Sequence, residues 1–308
     1  MNDLQLFITL SPSMPHFLRF VRDHRIAGIR INSAMMYASE IEGEMKTVQS
    51  VGDGAVPLYF DVKARQLRII GKHPSSDHLE IKINHPIEVD LPTPVIFKAG
   101  EDSALLVDVI EGTHLVFRGG PYYNVKEGES IHIRHPSLKM FDGTFPDYEL
   151  DKIARVKPFF KRWCMSYVEG QDDVDTFREI IGPEPELGLK IENKRGLKFA
   201  ADWKPCPNTF LVVAQGDLYV ECDKPHEMLG AVRMIAEKDK AAWVGSRMLL
   251  SCVEQEVPSA ADFAQLAWLY DIGYRKMLLC DDLCIDGDRL SRALDVFEAF
   301  RSYYATKT

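Results

Sequence analysis

The stretch Leu187-Gly188-Leu189-Lys190-Ile191-Glu192-Asn193 joins an apolar run to a cation and an anion two residues apart. Side chains alternate across a β-strand, so Lys190 and Glu192 leave the same face, roughly 6–7 Å apart along it. Burying either charge requires a partner or a metal. The pair therefore reads either as a polar site at a strand end or as an edge-strand ion pair near the surface. Two earlier apolar runs finish in the same way. Residues 27–32 bring Arg30 and Asn32 to one face near their end, and residues 56–61 close on Asp61, with Lys63 on the same face. Three polar strand ends are a pattern and not an isolated pair.

The elements that position these residues alternate along the chain. A β-like run over 6–10 stops at Ser11-Pro12-Ser13, and Ser13 is suited to cap a helix reaching His24. The second strand is followed by a helix over 36–51 and then by the third strand. From about Gln66 to Gly143 helical periodicity vanishes. Short alternating runs over 79–83, 104–110, 114–118 and 130–134 are separated by glycines and prolines, which predicts a small all-β insertion. Afterwards strands over 163–168, 187–192, 209–214, 242–245 and 276–280 alternate with helices over 148–161, 172–181, 194–202, 226–240, 260–272 and 287–304. Strand–helix alternation implies a parallel sheet, and eight units imply an α/β TIM (β/α)8 barrel with a β lid inserted after the third strand. The expected division is 1–65 and 144–308 for the barrel and 66–143 for the lid. In such a barrel chemistry gathers at the C-terminal strand ends, where the polar residues recur.

Composition narrows the function classes. A hydrophobic fraction of 46% with 27% charged residues is the profile of a soluble globular protein with a full core. The net charge of −9 argues against a nucleic-acid partner. No apolar run is long enough to span a bilayer, and the start at Met1-Asn2-Asp3 lacks a signal-peptide pattern, so a cytoplasmic protein with no membrane partner is expected. The six cysteines lack a Cys-x-x-Cys pair, and several lie in apolar runs, which favours buried free thiols over disulfides or zinc.

On these motifs the sequence resembles the pyruvate kinase family. The likeness runs collinearly through Thr9-Leu10-Ser11-Pro12-Ser13, Arg30-Ile31-Asn32, Asp61-Val62-Lys63 with Arg68, Lys190-Ile191-Glu192-Asn193 with Gly196, and Gly216-Asp217-Leu218 with Glu221. Met248-Leu249 and Pro258-Ser259 extend it, and the β insertion falls where that family carries its lid. The resemblance implies that Glu192 and Asp217 bind Mg²⁺ or Mn²⁺ beside a pyruvate or enolpyruvate ligand. It implies that Lys190 stabilises the developing enolate or the transferring phosphoryl group, and that Arg30 faces a phosphate. Gly216 and Asp217 would hold the substrate carboxylate through backbone N–H groups, and Ser246 would stand near substrate in a proton relay. Asn32, Asp61 and Arg68 fall on the cofactor side, where K⁺ and ADP or ATP bind in that family.

The departures concentrate on that cofactor side. Ala34 and Val62 replace two hydroxyl ligands of the monovalent cation, Gln66 replaces a carboxylate linked to its use, and Gln215 replaces an arginine. A run after the eighth strand has become Cys280-Asp281-Asp282-Leu283-Cys284, the lid is shortened, and the chain stops where the family's regulatory domain would follow. Three readings follow. One is a phosphotransferase of phosphoenolpyruvate or a related small molecule. Another is a nucleotide-independent aldolase, lyase or decarboxylase of 2-oxo acids working through a metal-bound enolate, by analogy with related barrels. The last is a non-catalytic paralogue with a binding role. The segment around Gln215 often lies near a subunit contact in the family, so a homo-oligomer is a further expectation. Elsewhere, His132 and His135 are expected to diverge and face solvent, Gly119-Gly120-Pro121 to form a lid turn, and Asp281-Asp282 either to add metal ligands or to lie in a solvated loop.

Overall fold

Eight short strands close into a barrel by parallel pairing alone. The computed structural model describes residues 4–52, 54–73 and 78–304, so Met1-Asn2-Asp3 of the chain start lies outside the described residues. The barrel strands are β1 (Gln5–Thr9), β2 (Gly28–Asn32), β3 (Leu58–Val62), β4 (Arg162–Met165), β5 (Glu186–Ile191), β6 (Thr209–Ala214), β7 (Trp243–Gly245) and β8 (Lys276–Leu278). Around the barrel the order is β1-β8-β7-β6-β5-β4-β3-β2, each strand beside its neighbours in sequence. Most of their residues are buried, as a parallel sheet covered on both faces requires.

Aromatic side chains fill the interior. Phe7 stacks on Trp243 with ring centroids 3.8 Å apart, Phe210 stacks on the same indole at 4.9 Å, and Tyr59 meets it edge-on at 4.7 Å. Such bulk fits only because facing positions are small. A Cβ on Gly188 would lie 2.9 Å from Phe210, and one on Gly28 would lie 2.9 Å from Phe7. Outside the strands a second, larger core packs the helices against the barrel, with Phe60, Trp163 and Phe177 wholly buried in it.

Between β3 and β4 the chain leaves the barrel to build a separate five-stranded antiparallel sheet. Its strands, in spatial order, are Ile69–His73, Glu80–Ile83, His114–Arg118, Asp102–Ile110 and Thr93–Phe97. They enclose a core of their own around Ile81, Phe97, Leu106 and Phe117. The pair Ile87–Glu88 and Lys139–Met140 forms a small second ribbon. The run over 130–134 differs from its expectation as a strand: it joins the sheet through isolated bridges, Arg68 to Ser130 and Ile96 to His132.

Two helices also differ from the sequence reading. In place of a helix over 13–24 there is one turn, Phe17–Phe20. The Ser13 hydroxyl is engaged by Ser11 at 2.8 Å, and Pro15 disfavours helical geometry at Met14 before it. The helix expected over 36–51 begins at Ile41. Met36 is extended, and a short 3₁₀ turn over Ser33–Met35 is capped by Asn32, whose side chain accepts from the Ala34 amide. Asn32 is thus held at the barrel mouth by its own local turn.

Candidate active site

At the C-terminal ends of β2, β3 and β5, one carboxylate collects three cations. Asp61 is fully buried, and its Oδ2 lies 2.5 Å from Arg30, 3.2 Å from Lys63 and 3.1 Å from Lys190. Burial alone would raise the Asp61 pKa, but Lys190, Lys63 and Arg30 outweigh it and hold the carboxyl far below the usual range. Lys190 also lies 3.0 Å from Glu192, so its ammonium sits between two carboxylates. Desolvation works against that charge, and the attraction of Asp61 and Glu192 overcomes it, so the Lys190 pKa is raised. Burial pulls the Lys63 ammonium down despite Asp61, because Lys190 and Arg30 crowd it with like charge.

Lys190, Glu192 and Asp217 line a single cavity of about 140 Å³ at the barrel mouth. Arg30, Asn32, Lys63, Arg68 and Ser246 line it too, so residues at or just past the ends of β2, β3, β5, β6 and β7 converge there, with Asp61 behind them on Arg30, Lys63 and Lys190. Asp217 stands on the short helix Gln215–Glu221 directly after β6 and is reached by the Gln66 amide at 3.4 Å. Gly216 is at the same helix start, and its N–H donates to Ser246 Oγ at 2.9 Å. Ser246, Arg247 and Leu249 have φ of 60°, 60° and 52°. Side-chain-bearing residues are held in that left-handed region only where surrounding structure demands it, and here the loop after β7 carries the strain at the cavity. Arg68 is turned partly away, donating to Gln66 and to the Gly128 carbonyl, both at 2.5 Å.

Two residues at the site were not found from the sequence. Tyr167, just past β4 with φ of 51°, donates its backbone N–H to Glu192 Oε2 at 2.7 Å, while its hydroxyl donates to Asp217 Oδ1 at 3.4 Å. Its side chain reads in sequence as one more apolar strand residue, so no pattern marked it. His132 overturns its expectation of facing solvent. It is 2% exposed, with Nδ1 2.7 Å from Glu221 and 3.3 Å from the Tyr167 hydroxyl. The lid folds this segment inward onto the barrel, which strand alternation alone does not reveal. His135 does diverge, turning to the Ser137 hydroxyl at 2.7 Å.

Asp281 lines the same cavity as Glu192 and Asp217, partly exposed, and its carboxylate is engaged by neighbouring side chains. It lies 3.3 Å from Arg30 and accepts from Asn32 Nδ2 at 3.1 Å. Of the six cysteines, all free, Cys164, Cys222, Cys252 and Cys284 are buried, whereas Cys206 is exposed.

The donor set bears on which ions fit. Glu192 is pushed up by burial and by the Asp217 carboxylate, against the pull of Lys190. Two acidic groups that repel each other across one cavity are what a divalent cation relieves. Mg²⁺ commonly takes only one or two protein carboxylates and completes its shell with water and substrate oxygens, so Glu192 and Asp217 suit it. Among the described residues no group of three or more His, Cys, Asp and Glu is placed to hold a metal by itself. A monovalent cation fits poorly: Asp61 already faces three cations, Asn32 Oδ1 accepts from the Ala34 amide, and Ala34 and Val62 carry no side-chain oxygen.

No family model and no curated protein matches the sequence. Solved structures do match in fold. The pyruvate kinase of Pyrobaculum aerophilum superposes with a TM-score of 0.76 at 15% identity, over 98% of this chain and 74% of its own. That of Cryptosporidium parvum gives 0.78 at 16% identity, over 97% of this chain and 70% of its own. The same enzyme in complex with ADP gives 0.78 at 16% identity, over 98% and 67%. The chain therefore has a pyruvate kinase-like fold, a barrel with an inserted β lid. No helix among the described residues is long and apolar enough to cross a membrane.

Proposed function

We propose that this chain is a divalent-metal-dependent enzyme acting on phosphoenolpyruvate, pyruvate or a related 2-oxo acid through its enolate. One observation carries the reading. The Lys190 ammonium is fixed between Asp61 and Glu192 in a cavity that Asp217 also lines. Loss of a C3 proton from pyruvate places negative charge on the C2 oxygen. A cation already desolvated and held by two carboxylates stabilises that charge without reorganising. Mg²⁺ or Mn²⁺ held by Glu192 and Asp217 would supply positive charge toward the substrate carboxylate and carbonyl oxygens. Ser246, with its hydroxyl fixed by Gly216 and the Gly245 carbonyl, is the residue suited to relay the proton at C3.

Phosphoryl transfer asks more of the site. A Cryptosporidium parvum pyruvate kinase of similar fold is solved with ADP, and Arg30 is this chain's candidate for a phosphate contact. Yet Asp281 supplies its own carboxylate to both Arg30 and Asn32. That observation favours a second reading, in which the enolate is used without a nucleotide, as in an aldolase, lyase or decarboxylase of 2-oxo acids.

The test is exchange of pyruvate methyl protons in deuterated water with Mg²⁺ or Mn²⁺, followed by NMR. Exchange in the wild type that vanishes in Lys190→Met supports the enolate reading, and ADP-dependent pyruvate formation from phosphoenolpyruvate separates kinase from lyase. Silence in both assays overturns the enzyme reading in favour of a binding role.

A further inference from the structure

The lid reaches the acidic end of the cavity through a run of polar contacts. His132 is anchored to the lid by both backbone groups: its N–H donates to the Ile96 carbonyl at 3.0 Å, and its carbonyl accepts from the Ile96 amide at 2.9 Å. Its side chain crosses to the barrel instead. Nδ1–H donates to Glu221 Oε1 at 2.7 Å and lies 3.3 Å from the Tyr167 hydroxyl, which donates to Asp217 Oδ1 at 3.4 Å. The one hydrogen on Nδ1 is committed to Glu221, so the imidazole meets the Tyr167 oxygen only as a weaker polar and packing contact, while the phenol donates onward to Asp217. Two residues further along, Arg134 donates to the Cys222 carbonyl at 2.9 Å. Both lid contacts land at the end of the helix Gln215–Glu221, whose first turn carries Asp217. Tyr167 is the only one of these groups that touches both candidate metal carboxylates, by its amide to Glu192 and its hydroxyl to Asp217.

We propose that His132 is a positioning residue contributed by the lid: gripped by Glu221, it fixes the Tyr167 hydroxyl on Asp217, so that the orientation of this carboxylate depends on the lid being docked. This rests on the reading of Glu192 and Asp217 as the divalent-cation site. Groups that orient a metal ligand from behind commonly change metal affinity by about 10- to 100-fold when removed. The chain has a weak link at 3.4 Å, so the effect lies at the lower end.

Mn²⁺ binding followed by electron paramagnetic resonance, with hydrogen–deuterium exchange on the metal-free protein, tests it. Tyr167→Phe, which deletes only the hydroxyl, should weaken Mn²⁺ about tenfold while leaving exchange in the lid segments 93–97 and 130–134 unchanged. His132→Ala should weaken Mn²⁺ as much and also speed exchange in those segments. His132→Asn, which restores a donor near the place of Nδ1, should recover most of the affinity. In a Tyr167→Phe background His132→Ala should have little further effect on the ion. If His132→Ala fails to fold, Glu221→Gln probes the same grip. A wild type that binds no Mn²⁺ overturns the metal reading, and the positioning role with it. A wild type that binds Mn²⁺ and a Tyr167→Phe that binds it equally well overturn the positioning role alone. So does a His132→Ala effect that persists in full without the Tyr167 hydroxyl.

Discussion

Lys190 on β5 and Asp61 on β3 meet at 3.1 Å across the intervening strand β4, although 129 residues separate them in sequence. The contact gives the ammonium a second carboxylate besides Glu192. It also makes Asp61 the common anchor of Arg30, Lys63 and Lys190.

Asp61→Asn should therefore be costly. It leaves three buried cations without their shared charge, a situation worth about 3–5 kcal/mol in buried ion pairs. Urea denaturation should show that loss, and a variant as stable as wild type would mean that water or the remaining carboxylates satisfy the cations.

The same crowding predicts indifference to K⁺. Replacing Na⁺ by K⁺ at matched ionic strength should change neither the melting temperature nor the rate of methyl-proton exchange. A clear rise with K⁺ alone would show that a monovalent ion enters beside Asp61 despite its three cationic neighbours.

On the proposed reading of Arg30 as a phosphate contact, Asp281 competes for its guanidinium. Its carboxylate is 37% exposed, so solvent screens the pair and the effect is modest. Asp281→Asn should tighten phosphoenolpyruvate binding about two- to fivefold, measured by calorimetry, with less change for pyruvate. Equal or weaker phosphoenolpyruvate binding would remove Arg30 from the phosphate contact.

His132 predicts a direction with pH. Burial disfavours its charged form, but the hydrogen bond and charge of Glu221 prevail and raise the pKa above 6.5. A raised value in the folded state means tighter proton binding than in the unfolded chain. The contribution is complete below the unfolded value and is lost as pH rises through the folded one. The melting temperature should fall across that window, and His132→Asn should remove that part of the slope.

The barrel interior offers a test independent of chemistry. A Cβ at residue 188 would press on Phe210 at 2.9 Å, and Phe210 is itself stacked on Trp243. Overpacking of this kind typically costs about 1–3 kcal/mol, so Gly188→Ala should lower the melting temperature with no direct effect on the cavity.

How much of this was legible beforehand follows from the range of each interaction. Strand and helix periodicity is a property of neighbouring residues, so the eightfold alternation, the change of texture over 66–143 and the polar strand ends at Arg30, Asp61, Lys190 and Glu192 were all readable from the chain. Local pattern also misled where a competing local device won, as at Ser13, held by Ser11 ahead of Pro15, and at Met36 beyond the turn capped by Asn32.

The sequence by itself determined which residues stand at strand ends, because alternation and hydrophobic spacing require no partner. Only the tertiary structure decided what those residues meet. Closure of the barrel brings Lys190 to Asp61 and Asp281 to Arg30 and Asn32, across 249 residues or more for the latter two. Docking of the lid buries His132 against Glu221 and Tyr167, and the Tyr167 hydroxyl in turn donates to Asp217. Such contacts depend on the relative placement of strands and lid, which no local pattern encodes. The partners of the charges, more than the charges themselves, were what folding had to supply.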